Sequence, residues 1–423
     1  MSSTIRIAIS GGGLAGASLF RALLDFVHLD VHIFESAPTF REAGIAIGFT
    51  RNAQAALELI GSWAPQCLER AGAVPMLGAH ILLAQGPNSG SMVGEPGQTA
   101  ESDRKRITSI VQRSAFLHEL LANAPQERLH ASKKLNDIHY DDDSLTLHFE
   151  DGTTHQCDIL IGADGIHSTV RRYVLGKNDA ALLPRNTGCW AVMALKPYAE
   201  AQASIGDGPV NIEDAREYIW IGDGTYAIHN LLDQGRQVQF VIAAYDKDAE
   251  SSDRWYRSVS SEEMESLYQD WPPFLRKAVK ELLCDKSEQP AIYLWEHPPA
   301  RTYVSGPVCI MGDAAHATSP WQASGGGMSI EDTMILSTLL GSVKTPTEAR
   351  KALDVYDKIR RPRTQRIVES SRGTGEIMTG RNPEFGLDLE KMRTGLLPRW
   401  DFILDLDMVG HRDEALEMLR KEE

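Results

Sequence analysis

The chain has 423 residues, of which 42% are hydrophobic and 24% charged, and a net charge of −15. That length admits two or three domains around a large core. The acidic balance, with no basic stretch interleaved with aromatics, excludes a nucleic-acid binder. Five scattered cysteines (Cys67, Cys157, Cys189, Cys284, Cys309) never form C-x-x-C. They argue against a disulfide framework and a metal site, and for free thiols in a reducing compartment. The first apolar stretch is broken by Arg6 and glycines, so it reads as neither signal peptide nor anchor. No run approaches the roughly 20 apolar residues of a membrane span. The expected location is the cytoplasm, with no stable membrane association.

Ile5 to Ser10 is a β-branched strand running into Gly11-Gly12-Gly13-Leu14-Ala15-Gly16, which is G-x-G-x-x-G in the right context. A helix carrying Leu19, Phe20, Leu23, Leu24 and Val27 on one side follows, then a strand Val31–Phe34 ending in Glu35. Gly11 permits the tight turn, Gly13 lets backbone approach a pyrophosphate, and Gly16 lets helix pack on strand. Glu35 can accept from a ribose diol, so a dinucleotide is expected, FAD and NAD both remaining open. Residues 43–56 read as a glycine-spaced loop leading into a helix, with Arg41, Arg51 and Asn52 as polar handles. Residues 76–97 read as a hairpin. Arg113 stands at the start of a helix through Phe116, Leu117, Leu120 and Leu121, where a cation opposes the helix dipole unless an anion or solvent relieves it.

A further hairpin, 139–152, carries the acidic run Asp141-Asp142-Asp143. Asp158 to Gly162 is a second buried-strand pattern; it ends in Ala163-Asp164-Gly165, with a helix beginning near Ser168. Residues 189–196, 217–221, 225–231 and 237–244 read as successive strands of an inserted antiparallel sheet. Ser260 to Glu263 is a capping box opening a helix towards Leu283, which Trp271-Pro272-Pro273 breaks midway. Val308 to Met311 is a third buried strand. Gly312-Asp313 closes it, Ala314 to Ser324 is a loop holding His316, Pro320 and Trp321, and Gly325-Gly326-Gly327 starts a helix with Ile330, Met334, Ile335 and Leu339 at helical spacing. Bare backbone at such a helix start suits a polar cofactor. Residues 352–366 form a helix with a cationic face (Lys358, Arg360, Arg361, Arg363, Arg366), read as exposed or interdomain.

GGGLAG, GADGIHSTVR and MGDAAHATSPWQASGGGMSIED, in this order and separation, resemble the single-component flavoprotein aromatic monooxygenases, above all their salicylate-hydroxylase-like members. The resemblance runs from Ile5 to about Arg366. It implies an α/β fold: a Rossmann-like FAD-binding domain (1–75, 98–180, 290–372), an inserted mostly antiparallel substrate-binding sheet (76–97, 181–289) and a helical C-terminal region (373–423). It also implies that Gly11, Gly13, Leu14, Ala15 and Gly16 hold the FAD pyrophosphate and Glu35 its ribose. Arg113, Asp164 and Asp313 would contact cofactor, and Gly325, Gly326, Gly327 and Met328 would reach the flavin edge.

The chemistry so implied is hydride from NADH or NADPH to FAD, addition of O2 to give a flavin C4a-hydroperoxide, and attack on an electron-rich ring. It needs no metal. The partners implied are a small phenolic or aromatic-acid substrate, NAD(P)H and O2. Where several salicylate-hydroxylase-like enzymes carry His, this chain has Trp321, which cannot act as a base but can wall an aromatic site. Tyr226, Trp321 and Pro320 are the catalytic candidates, and Arg216, Tyr218, Trp220 and His229 the substrate-binding ones. Strand alternation separates Tyr226 from His229, and the family's register favours Tyr226 towards the flavin. His316 and His229 each read as structural. A phenol-dearomatising hydroxylase or epoxidase, and a flavin oxidase or dehydrogenase, are the rival readings.

Overall fold

The structure, a computed structural model, describes residues 4–41, 46–97, 108–141, 144–206, 208, 210–214 and 216–422. The first half is organised by a six-stranded sheet in the order Val304–Ser305, Val308–Ile310, Ile159–Gly162, Ile5–Ser10, Leu29–Phe34, Leu129–His130. All neighbours are parallel except the first pair. Its central strands are buried along nearly their whole length, as expected for a parallel sheet covered on both faces. Ser10 pairs with Gly162, and Gly162 with Ile310, so three strands end together. The three glycine-bearing motifs therefore leave the sheet at one carboxyl edge, the edge at which open α/β sheets bind ligands.

The second half is an eight-stranded sheet, in the order Tyr256–Ser260, Glu288–Glu296, Arg185–Pro197, Gln237–Tyr245, Thr225–Leu232, Glu217–Ile221, Ala79–Leu83, Met92–Gly94. It is antiparallel except where Glu217–Ile221 runs alongside Ala79–Leu83. Period-two alternation gives it two apolar faces. One, with Trp190, Trp220, Phe240 and Ile242, packs with Ile205, Met264 and Leu275 of three short helices. The other, with Ile219, Ile221, Tyr226 and Ala243, meets Trp321, Met378 and Trp400. The chain is thus an α/β protein with a Rossmann-like parallel part and an inserted, mostly antiparallel sheet.

Several sequence expectations are corrected. The first helix ends at Leu23, so Val27 is 99% exposed instead of continuing its buried side. Residues 46–50, expected in a loop, form a strand paired antiparallel to Thr108–Gln112, because Ile47 and Phe49 find apolar cover from the helix beginning at Gly325. Residues 43–45, and 142–143 of the acidic run, lie outside the described residues. The stretch 314–324 is only partly a loop. It holds a short helix, Asp313–His316, and a 3-10 turn, Pro320–Gln322. The last long helix, Pro346–Met378, passes residue 372 without a break, and its C-terminal residues join the core under the inserted sheet.

The cationic face of that helix is only partly turned inward, Lys358 and Arg366 remaining exposed. Arg360 is fully buried, Arg363 pairs with Glu331, Arg366 stands 4.0 Å over the Phe402 ring, and Lys358 pairs with Glu422. Among the described residues no helix is long and apolar enough to cross a membrane.

Candidate cofactor and substrate site

At the carboxyl edge the three motifs touch through glycine. Gly11 has φ +108, and a Cβ there would land on the Ala163 carbonyl; one at Gly16 would land on the Gly11 carbonyl. Gly312 has φ +57, and a Cβ would come 2.7 Å from that of Ala15. Only glycine allows these backbones to approach so closely in that conformation. Glu35 closes the first turn, its Oε2 accepting from the Gly12 amide at 2.7 Å and its Oε1 from the Ala37 amide at 2.7 Å. Leu14 is buried at the start of the first helix. The result is a cradle of backbone with a carboxylate at its rim, and it fits a dinucleotide pyrophosphate and ribose.

Asp164 does not point outwards from this cradle. Its carboxylate accepts from the amides of Thr169 at 2.8 Å and Val170 at 3.2 Å and from the Ser168 hydroxyl. It shapes the turn, which presents backbone at Gly165, where a Cβ would meet nothing within 4 Å. Arg171, buried in the following helix, ties this motif to the third by donating to the carbonyls of Ala181 (2.7 Å), Ala314 (2.9 Å) and Ala315 (2.8 Å). Burial lowers its pKa to about 10, which leaves it cationic at neutral pH. Asp313 stands exposed at the start of its short helix, and Arg113 is half-buried at the start of Arg113–Leu121.

The helix Gly325–Ser342 leaves its first amides without intrahelical acceptors. Its glycines also answer a packing demand. A Cβ at Gly326 would strike the Ile47 side chain, and one at Gly327 would stand 3.3 Å from Ala53. Met328 is buried, its amide donating to the Ser324 carbonyl at 2.8 Å. Ala323, just before this helix, is held at φ 49, ψ 32, a left-handed conformation that a residue with a Cβ adopts only under constraint.

Beneath the cradle lies a network that sequence reasoning missed. Asp332 accepts from the Gly312 amide at 3.1 Å, from His316 Nε2 at 2.6 Å and from Arg360 Nε at 2.8 Å. Arg360 also pairs with Glu331 at 2.7 Å, and Glu331 is held by Arg363 (2.7 Å) and Asn52 (2.7 Å). Burial alone would raise both carboxyls, but His316 and Arg360 keep Asp332, and Arg360 and Arg363 keep Glu331, below the usual carboxylate range. An acidic pair inside the otherwise uncharged run from Met328 to Leu340, facing a helix with an Arg-Arg step, was the available signal. His316 is structural, as read.

On the inserted sheet, Tyr226 and Trp321 meet edge to face, ring centroids 5.3 Å apart at 89°. Pro320 begins the turn that delivers Trp321, and Gly375 makes room for it, since a Cβ at Gly375 would strike the indole. The four substrate-binding candidates are not brought to this place. Tyr218, Trp220 and His229 lie on the opposite face, where Tyr218 and His229 stack at 5.2 Å and Trp220 Nε1 donates to His229 Nε2 at 3.3 Å. Arg216 pairs there with Asp214 at 2.8 Å. The correction follows from parity: residues 216, 218 and 220 alternate with 219 and 221, and Tyr226 pairs with Ile221. Burial lowers the His229 pKa to about 3, so it is a neutral core residue. Tyr226 is raised well above the usual phenol range, by burial and then by Glu217. Among the described residues no group of three or more His, Cys, Asp or Glu could hold a metal ion.

Comparison with known proteins agrees with this geometry. The family model described as FAD binding domain matches residues 232–371. The chain is 34% identical to the 6-methylsalicylate 1-monooxygenase of Aspergillus terreus, over 99% of this chain and 93% of that protein. It is 30% identical to a salicylate hydroxylase of Pseudomonas putida, over 97% and 94% respectively. A salicylate hydroxylase solved as a substrate complex shares the fold, with a TM-score of 0.85 at 24% identity and 98% of both chains covered.

Proposed function

This chain belongs to the salicylate-hydroxylase-like FAD-dependent monooxygenases, and on that premise we propose that it hydroxylates a small phenolic ring, with NADH or NADPH as reductant and O2 as oxidant. The observation that carries the substrate reading is the meeting of Tyr226 and Trp321 on one apolar face of the inserted sheet. Two relatives bear the names of phenolic acids, which supports a substrate of that size.

When bound, reduced FAD supplies the oxygen-activating chemistry; the protein supplies position, electrostatics and exclusion of water. Gly11, Gly13, Leu14, Ala15 and Gly16 hold the pyrophosphate, Glu35 the ribose, and Arg113 and Asp313 further polar parts of the cofactor. The free amides of Gly325, Gly326 and Gly327, with Met328 closing the first turn, would turn the positive end of a helix dipole towards the ring system. That suits the negative charge that reduced flavin carries. The Tyr226 phenol, held neutral by its surroundings, donates a hydrogen bond to the substrate, and Trp321 packs on the substrate's edge. The dinucleotide part thus carries the cofactor, and the inserted sheet, which takes in the strand Glu288–Glu296 beyond the expected boundary at residue 289, carries the substrate. We place the enzyme in the cytoplasm, the compartment that suits its five free cysteines.

The test is consumption of NADH and NADPH by FAD-loaded protein across a phenol panel that includes salicylate and 6-methylsalicylate, with peroxide and labelled-oxygen product quantified. Stimulated consumption with label in the product is expected. Consumption without label in any product would overturn hydroxylation in favour of an oxidase.

A further inference from the structure

The turn that follows the long helix Pro346–Met378 carries Arg381 onto the apolar sheet face of Tyr226 and Trp321. Its guanidinium carbon lies 3.7 Å over the Tyr245 ring, and its Nη2 stands 3.7 Å from the Cys189 sulfur. Cys189 pairs with Tyr245 across two strands and belongs to the same cluster as Tyr226 and Trp321. Tyr226 stands opposite Ala243, so Tyr245 lies two residues further along the same face, roughly 7 Å on. The helix end that presents Arg381 also seats Trp321, whose indole fills the space a Cβ at Gly375 would take. That end is fixed to the sheet. The Gly224 amide donates to the Thr379 carbonyl at 2.8 Å, and the Arg381 amide to the Glu376 carbonyl at 2.9 Å. A Cβ at Gly380, where φ is +65, would come 2.7 Å from the Gly222 carbonyl. Phenol, indole and guanidinium thus border one stretch of the face.

We propose that Arg381 determines specificity by binding a carboxylate on the substrate, which makes that substrate an aromatic acid and not a neutral phenol. This rests on the phenolic reading above. Arg360, Arg363 and Arg372, on the helix before it, each hold a buried carboxylate. Arg381 does not. It is half-buried, its Nε donates to the Thr379 hydroxyl at 2.9 Å, and among the described residues no carboxylate pairs with it. Glu250, which also adjoins Tyr245, accepts from the Tyr245 hydroxyl at 2.7 Å instead. The Nη groups are therefore left to an outside acceptor, and a planar guanidinium matches a carboxylate with two parallel hydrogen bonds. Stacking on Tyr245 holds the side chain in place, which lowers the entropy that ion pairing otherwise costs. An overall charge of −15 repels an anionic substrate, so a local cation is needed to offset the field. With its carboxylate at Arg381, the ring reaches the Tyr226 and Trp321 pair.

The test compares 6-methylsalicylate with 3-methylphenol, the same ring without its carboxylate. Dissociation constants would be read from the perturbed flavin absorbance of FAD-loaded wild type, Arg381→Gln and Arg381→Lys. Wild type should bind the acid at least about tenfold more tightly than the phenol. Arg381→Gln should erase that preference, weakening the acid about tenfold and leaving the phenol within about threefold, and Arg381→Lys should restore part of it. Equal FAD content and circular dichroism would show that the variants fold, and the wild-type preference tests the proposal without any variant. A phenol bound as tightly as the acid by wild type, or equal weakening of both by Arg381→Gln, overturns the proposal alone. So does a loss in Arg381→Gln confined to NADPH, which would assign the guanidinium to the dinucleotide's phosphates. Failure of 6-methylsalicylate, salicylate and 3-methylphenol alike to bind wild type overturns the phenolic reading and the proposal with it.

Discussion

Beneath the dinucleotide turn, Asp332 is ringed by His316, Arg360 and the Gly312 amide, whereas on the inserted sheet burial is the one resolved influence on Glu217. Both are carboxyls in low-dielectric surroundings, and they respond in opposite directions. Asp332 and Glu331 stay ionised because cations compensate the loss of water, while Glu217 rises and His229 falls, each towards its neutral form. Paired charge holds backbone in place; unpaired charge is left free to exchange protons.

Breaking the paired network should have the largest effect. Arg360→Met leaves Glu331 and Asp332 without their shared cation, and a loss of roughly 3–5 kcal/mol is expected, read as a fall in melting temperature with release of FAD. An unchanged melting temperature would mean that the network is not what anchors Gly312. Next, Gly11→Ala forces a side chain onto the Ala163 carbonyl at positive φ, and the purified protein should lose most of its yellow colour while staying folded. Full FAD content would remove the glycine cradle from the account.

The two sheet faces can be separated in the same way. His229→Leu strands the Trp220 indole N–H and should cost about 1–3 kcal/mol, with KM for any active phenol unchanged. Tyr226→Phe should leave stability nearly intact and slow product formation more than substrate-free flavin reduction by NAD(P)H. A KM effect in the first, or equal slowing of both steps in the second, would undo the assignment of faces. Gly375→Ala is subtler. The substitution favours the helix by roughly 1 kcal/mol, yet it displaces Trp321, so more of the NAD(P)H consumed should appear as peroxide.

The smallest expected effect is on pH dependence. His155 and His411 are lowered to about 4, and His229 and His297 to about 3, chiefly by burial. Below the ordinary 6.5 the unfolded chain binds protons that the folded chain refuses, so stability falls as pH drops from about 6.5 towards 3. Glu217, raised from 4.5 to about 7, works the other way: the folded chain holds the proton longer, so its contribution declines as pH rises through that window. Glu217→Gln should therefore raise the melting temperature more above pH 7 than near pH 4.5. A uniform shift would show that the carboxyl ionises normally.

Much of this was legible from the chain. Strand, glycine turn and acid at Ile5–Glu35, the capping box at Ser260 and the strands of the inserted sheet are all governed by residues close in sequence, whose conformational preferences and spacing act locally. Parity even separated Tyr226 from His229. What it could not say was which face looks at the cofactor half, because that depends on the helices covering the other side. Arg216, Tyr218 and Trp220 look like a binding set in sequence, yet Tyr218 and Trp220 are core and Arg216 is paired with Asp214. Glu217 looks like a strand terminus, and burial by distant residues raises its carboxyl to about 7. The network of Asp332, His316, Arg360, Glu331 and Asn52 joins residues from four separate segments. Local chemistry determined the elements and the dinucleotide turn. The tertiary structure decided which charges are paired and which are not, since the dielectric and the partners around a buried group are set by contacts far away in the chain.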